Sequence, residues 1–423
     1  MATTSAETTR TALSLWRSVV DKGGATPAYL EEHADGWEPI SWAEADARVR
    51  ALAQGLLARG IGHGDVVAVA SRTRLEWVLL DWAIMSIGAV VVGLYPTNSA
   101  SECAYILEHS EAVLAFVEDD EQQTKIASVY SGPLVRFDEL DAFMVRDGSE
   151  PYDEPGEDDL ATLIYTSGTT GPPKGCMLTH KNLVTAAIRV QNTLQDETDV
   201  VLLFLPMAHS FARIVHQGAA FHGSTLALVS DATRVPEALA RVKPTILPAV
   251  PRVYEKIHAN VIGEIERSSP VKRAIGRWAL RVGAKNKIAD ALVFKKVRER
   301  LGGRLRLGIS GAAPLGVDVM EFFNSLGMLV IEGYGLTETS SSLSVNDPEN
   351  YRFGTVGHVV DGCELRLDED GEIIVRSDTI FKGYFKDPEA TAAALTEDGW
   401  FRTGDVGEID ADGFLKITDR KKD

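Results

Sequence analysis

Two hydrophobic rhythms alternate along the chain as far as about residue 335. The stretch "WAEADARVRALAQGLLARG" (42–60) spaces its apolar residues at three and four and ends at Gly60, which predicts an amphipathic helix with a glycine stop. "DVVAVAS" then follows as a short apolar run. "AVLAFVE", "LATLIYT", "VVLLFLP", "STLALVS", "PTILPAV", "LRLGIS" and "MLVIEGYG" repeat that second rhythm. Most of these runs are unbroken, as in strands covered on both faces of a parallel sheet. The most apolar stretch, "LEWVLLDWAIMSIGAVVVGLY" (75–95), is interrupted by Glu76 and Asp81 and split at Gly88. It predicts a buried helix followed by a strand, not a membrane span.

After about residue 345 the pattern shortens. "TVGHVV", "CELRLDEDGEIIVRS" and "VGEIDADGFLKITDR" read as strands joined at the hairpin signals "DEDGE" and "DADGF". The predicted fold class is α/β: two α/β subdomains with mostly parallel sheets, plus a small antiparallel, barrel-like subdomain. The approximate divisions are 60–195, then 10–59 together with 200–340, then 345–423.

Composition narrows the function. The chain has 423 residues and a formal net charge of −18, which argues against a surface built for nucleic acid. Cys103, Cys176 and Cys363 are far apart, with no CxxC or Cys/His cluster. They predict neither a zinc site nor a disulfide framework, and fit a reducing cytoplasm. The start, "MATTSAETTRTALSLW", has no basic region leading into an apolar core, so no secretory signal is expected.

The chemistry begins at "YTSGTTGPPKGC" (165–176). Glycines let backbone N–H groups approach an anion, hydroxyls add donors, and a lysine adds charge. The order differs from a P-loop. Gly175 stands where GxxxxGK[ST] needs a hydroxyl, and "CML" intervenes before the helix "THKNLVTAAIRVQ", for which Thr179 is the expected N-cap. By itself the loop could be a plain turn.

Five further segments follow in order: "LPMAHSFAR" (205–213), "SGAAPL" (310–315), "YGLTETS" (334–340), "GEIIVRSDTIFKGYFKDPEAT" (371–391) and "WFRTGDVGEID" to "GFLKITDRKKD" (400–423). With the loop, they resemble the adenylate-forming superfamily of acyl-CoA synthetases, firefly-type luciferases and peptide-synthetase adenylation domains. The likeness is greatest to long-chain fatty acid–CoA ligases and covers essentially the whole chain. It implies a two-step reaction: a carboxylate attacks the α-phosphate of ATP, giving acyl-AMP and pyrophosphate, and coenzyme A then takes the acyl group.

The same resemblance assigns roles. Thr166, Ser167, Gly168, Thr169, Thr170, Gly171 and Lys174 would hold the β- and γ-phosphates. Glu338 would be the Mg2+ ligand and Thr337 a donor to the α-phosphate. Tyr334, followed by Gly335, would stack on adenine, and Gly311, Ala312 and Ala313 would bring backbone to its edge. Asp405 and Arg420 would contact the ribose. His209 would lie near the reacting carboxylate, as a polar contact or a proton carrier. The catalytic set is then Thr337, Glu338, His209 and Lys174. Plainer readings exist: "YGLTETS" as a helix cap with a core tyrosine, and "SGAAPL" as a tight turn.

The acid substrate leaves a trace too. Amino-acid-activating relatives place an aspartate near Ser210 to pair the substrate ammonium, whereas Val200 to Ser230 contains no Asp or Glu. An unpaired buried ammonium would be costly, so an apolar acid is expected, although Ala212 stands where long-chain enzymes often carry Glu. The resemblance also implies a C-terminal swinging domain carrying a further lysine; no matching segment occurs in these residues, so poor CoA ligation is expected of them. Two alternatives stand: an acyl-AMP ligase loading a carrier protein, and a non-catalytic nucleotide- or acyl-binding fragment.

One segment stands apart. Residues 270–306 are strongly basic in an acidic protein, and Val271, Ile275, Trp278 and Val282 share one helical face. The plainer expectation is an amphipathic helix packed on the core with its basic face in solvent. The alternative is peripheral contact with anionic lipid.

Overall fold

The unbroken apolar runs become the inner strands of two large sheets. The computed structural model describes residues 10–147, 151–166, 171–191 and 194–421. A seven-stranded sheet has the order Gly383–Tyr384, Lys174–Thr179, Leu160–Thr166, Val90–Leu94, Val66–Ala70, Leu114–Val117, Leu134–Arg136. Its strands from Leu160–Thr166 onward run parallel, and the other two pair antiparallel. A nine-stranded sheet runs His358–Val359, Ser344–Val345, Leu329–Tyr334, Leu307–Ser310, Ile246–Ala249, Val200–Leu203, Thr225–Leu228, Pro27–His33, Gly36–Ser41. It is parallel from Leu329–Tyr334 to Pro27–His33 and antiparallel at both ends. Helices cover the faces of both sheets, which is why their central strands lack polar alternation.

The last part of the chain forms a four-stranded antiparallel sheet, Cys363–Leu367, Glu372–Ser377, Phe401–Ile409, Leu415–Arg420. Irregular pairing between Glu372 and Ile374, and between Val406 and Gly407, marks the bulges that bend such strands. The expected α/β class with an antiparallel unit is therefore what the chain adopts.

The stretch 75–95 splits as expected, into the helix Leu75–Met85 and the strand Val90–Leu94. Every residue of that helix except Glu76 is buried. Among the described residues no helix is long and apolar enough to cross a membrane. The helix Trp42–Leu57 begins with a reciprocal cap, Ser41 accepting from the Glu44 amide while Glu44 accepts from Ser41.

The connection around the phosphate-type loop takes a form that its sequence only hinted at. "KGCMLT" is not a lead-in to the helix but a strand, Lys174–Thr179, hairpinned onto Leu160–Thr166. Thr166 and Lys174 are register partners in that hairpin. The helix His180–Gln191 then starts at Thr179, whose Oγ1 accepts from the Asn182 amide at 3.2 Å while Asn182 Oδ1 accepts from the Thr179 amide at 2.9 Å.

Candidate functional site

Parallel strands release their loops at one edge, and ligand crevices of α/β sheets form where the strand order reverses. In the nine-stranded sheet that reversal lies at Val200–Leu203 and Ile246–Ala249, since the chain builds outward on both sides of this pair. The segments after Val200–Leu203, Leu307–Ser310 and Leu329–Tyr334 converge here on one cleft.

The cleft is lined by Val190, Leu194, Phe211, Ile214, Ile309 and Val345 on its apolar side. His209, Ser310, Gly311, Ala312, Tyr334, Gly335, Ser341 and Ser344 complete it. No Asp, Glu, Lys or Arg is among its described lining residues. The hydroxyls of Ser310 and Ser344 are buried there without a hydrogen-bond partner among the described residues. Buried polar atoms are nearly always satisfied, so these two mark places for a polar group in an apolar wall.

Small residues are required around the cleft. A side chain at Gly335 would put its Cβ 2.4 Å from the Ser341 carbonyl carbon, and one at Gly311 would meet the Phe211 ring at 3.2 Å. Ala312 takes a left-handed φ of 72°, an uncommon conformation for a residue with a Cβ. Ala313 is exposed beside it. The turn ends where the Leu315 amide donates to Glu332 Oε1 at 2.8 Å. Glu332 is buried, and burial raises the pKa of its carboxyl.

His209 caps the helix Ser210–His222, its Nδ1 accepting from the Phe211 amide at 3.1 Å. Burial lowers its pKa. The neutral tautomer with Nδ1 accepting carries its proton on Nε2, so His209 offers a donor. Next to it, Ser210 Oγ lies 3.3 Å from Thr337 Oγ1 and accepts from Ser341 Oγ at 2.6 Å.

Two paired clusters flank Thr337. On one side the Tyr334 hydroxyl donates to Asp405 Oδ2 at 2.6 Å, and Arg420 Nε stands 3.8 Å from Asp405 Oδ1. Asp405 and Arg420 face each other across the final hairpin. On the other side the Tyr384 hydroxyl donates to Glu338 Oε1 at 2.8 Å, and Lys174 Nζ lies 5.0 Å from the Tyr384 ring centroid. Burial, reinforced by the neighbouring carboxylate, pushes both phenols up, so each tyrosine remains a donor. Burial and then Glu338 likewise push the Cys176 thiol well up.

The donor chemistry at Glu338 suits a particular kind of cation. One carboxylate, neutral hydroxyls and a lysine cannot make an all-protein cage. They suit Mg2+ that keeps its waters and arrives on phosphate oxygens. The one described cluster of three carboxylates is Asp368, Asp370 and Glu372. It is already neutralised by Lys421, 2.6 Å from Asp370 and 2.9 Å from Glu372, and by Arg402 at 3.0 Å from Asp368 and 3.1 Å from Glu372.

Residues 16–385 match the family described as AMP-binding enzyme. The chain belongs to that family. Among curated members, the long-chain-fatty-acid–CoA ligase FadD15 of Mycobacterium bovis is 39% identical, over 92% of this chain and 70% of its own length. Fatty acyl-CoA synthetase A of Dictyostelium discoideum is 34% identical, over 90% of this chain and 65% of its own. The N-terminal domain of FACL13 from Mycobacterium tuberculosis superposes with a TM-score of 0.80 at 26% identity, covering 97% of this chain and all of that domain.

Of the expected residues, His209, Gly311, Ala312, Tyr334 and Gly335 line the cleft; Thr337 meets it at Ser210, Asp405 and Arg420 follow from Tyr334, and Glu338 and Lys174 meet at Tyr384. Thr166 and Gly171 bound the loop beside Lys174. Ser167, Gly168, Thr169 and Thr170 lie outside the described residues. Tyr384 and Glu332, which hold residues of the expected motifs, were not singled out from the sequence. Tyr384 sat inside a matched segment, "FKGYFKD", but nothing in that segment says which distant carboxylate its hydroxyl reaches.

Proposed function

We propose that this chain activates an apolar carboxylic acid, of the fatty-acid class, with ATP, and that coenzyme A takes the acyl group in the second step. The observation that carries the reading is the cleft: apolar on one side, free of charged residues among its described lining, and bordered by the family's nucleotide-type motifs. A substrate ammonium would have no partner there. The relatives named as fatty-acid–CoA ligases support the same substrate class.

In this reading a carboxylate oxygen of the acid attacks the α-phosphorus of ATP. The bond from that phosphorus to the bridging oxygen of the β-phosphate breaks, and pyrophosphate leaves with the electron pair. Negative charge grows on phosphoryl oxygens, so positioned donors and cations carry the catalysis. Lys174, Thr166 and the loop 167–171 hold the pyrophosphate end. Thr337 donates to the α-phosphate, and His209 Nε2 orients the acid. Gly311 to Ala313, Tyr334 and Gly335 receive adenine; Asp405 and Arg420 receive ribose. Glu338 would hold the Mg2+ that accompanies ATP, which would supply charge neutralisation.

The test is ATP–pyrophosphate exchange with a panel of acids. Exchange with fatty acids and none with amino acids is expected. Exchange driven by amino acids alone would overturn the assignment.

A further inference from the structure

Of the apolar stripe Val271, Ile275, Trp278 and Val282, Ile275 is half-buried and the other three are exposed. The helix Pro270–Val282 turns its small residues inward instead: Gly276 and Ala279 are its buried positions. A Cβ at Gly276 would lie 2.7 Å from Ile265 of the helix Pro251–Arg267, so this is the side of close packing. Val271 is 70% exposed, Trp278 37% and Val282 39%. Ile288 (63%) and Leu292 (52%), one turn apart in the adjoining helical stretch, are exposed as well. These five are more than half of the nine large exposed hydrophobic side chains described for the molecule. The helix does pack on the core, through Ala279 and Leu280 with Lys272 and Arg281 in solvent, but that packing leaves Val271, Trp278 and Val282 outside.

Charge decides what covers this stripe. Residues 270–306 carry twelve Lys and Arg against Asp290 and Glu299, a local +10 in a chain of −18, which leaves −28 for the rest. Arg277, Arg298 and Arg300 are held by Glu266, Asp290 and Glu264. Among the described residues, Lys272, Arg281, Lys285, Lys287 and Lys296 have no ion-pair partner. Exposed aliphatic side chains and a tryptophan set among free cations suit the boundary of an anionic bilayer, where apolar groups enter the acyl region and cations meet headgroups. A second copy docked by the same face would set these unpaired cations against one another, and the acidic remainder of the molecule is repelled by anionic lipid, so docking is oriented.

We propose that the helix Pro270–Val282, with the turn bearing Ile288 and Leu292, is a peripheral docking surface for anionic lipid bilayer. It stands independently of the substrate assignment.

Co-sedimentation with phosphatidylcholine vesicles, with and without phosphatidylglycerol, tests it. Binding to the anionic vesicles alone, weakening as salt rises, is expected. The triple variant Lys272→Glu/Arg281→Glu/Lys285→Glu should lower the partition coefficient by about a hundredfold, and Val271→Ser/Trp278→Ser/Val282→Ser should also lower it. Both change exposed residues, and an unchanged thermal melt verifies folding. No binding at low salt overturns the proposal, as does unaltered binding by folded variants. Concentration-dependent dimerisation in analytical ultracentrifugation, abolished by the apolar triple variant, would reassign the face to self-association.

Discussion

Tyr384 donates its hydroxyl to Glu338 Oε1 at 2.8 Å, across 46 residues of sequence. The bond fixes one oxygen of the carboxylate and so aims the other. Carboxylates that meet metals are commonly held by such partners, whose loss typically weakens metal affinity by about 10–100-fold. Tyr384→Phe keeps the ring beneath Lys174 and removes only the donor. We expect an approximately tenfold weaker apparent Mg2+ affinity in ATP–pyrophosphate exchange, with Glu338→Gln more severe. A Mg2+ titration unchanged in Tyr384→Phe would refute the positioning role.

Tyr334 bears two separable functions, a ring in the cleft and a hydroxyl on Asp405. Base–aromatic stacking contributes about 1–3 kcal/mol by alanine substitution. Tyr334→Ala should therefore weaken ATP binding by roughly tenfold or more, whereas Tyr334→Phe should retain the stacking share. Calorimetric titration with ATP distinguishes them; equal losses in both variants would place the effect in the hydroxyl.

The helix that His209 caps is anchored by an ion pair. Arg213 Nη2 lies 2.6 Å from Asp81 Oδ1, with both side chains at most 1% exposed. Removing one partner of such a pair leaves an uncompensated buried charge and costs about 3–5 kcal/mol, while replacing both by apolar groups is often near neutral. Arg213→Met is expected to destabilise by that amount, and Asp81→Leu with Arg213→Met to recover most of it. Urea denaturation of the four proteins of the cycle measures this.

His180 is buried, its Nδ1 accepting from the Ala12 amide at 3.2 Å and its Nε2 without a partner among the described residues. Burial lowers its pKa from 6.5 to about 4. The unfolded chain takes up a proton near the ordinary value and the folded chain does not, so stability is intact above about pH 6.5 and falls as pH drops toward 4. The full effect is about 3 kcal/mol, and the lowered pKa values of His209 and His216 act in the same direction. His180→Gln should flatten the decline in melting temperature between pH 7 and 5. A slope identical to that of the native protein would remove His180 as its source.

Much of the architecture was legible because it is local. An unbroken run such as "DVVAVAS" admits few fates besides a covered strand, and the three-and-four spacing after Trp42 admits few besides a helix. The hairpin at Lys174–Thr179 was harder, since "CML" is too short to show a period. The outward turn of Trp278 was not legible at all. Periodicity showed that four apolar residues share a face, but Gly276 and Ala279 decided which face packs, because only small residues let two helices approach closely.

By itself the sequence determined the order of strands and helices, the family motifs and their succession, and the absence of any acid between Val200 and Ser230. Each depends on neighbours along the chain. The tertiary structure alone decided that Glu338 is held by Tyr384, that Asp405 lies between Tyr334 and Arg420, and that Asp81 and Arg213 share a buried charge. These pairs are set by strand order and helix packing over long separations, and the free energy that selects them comes from burying whole faces at once, which no local pattern encodes.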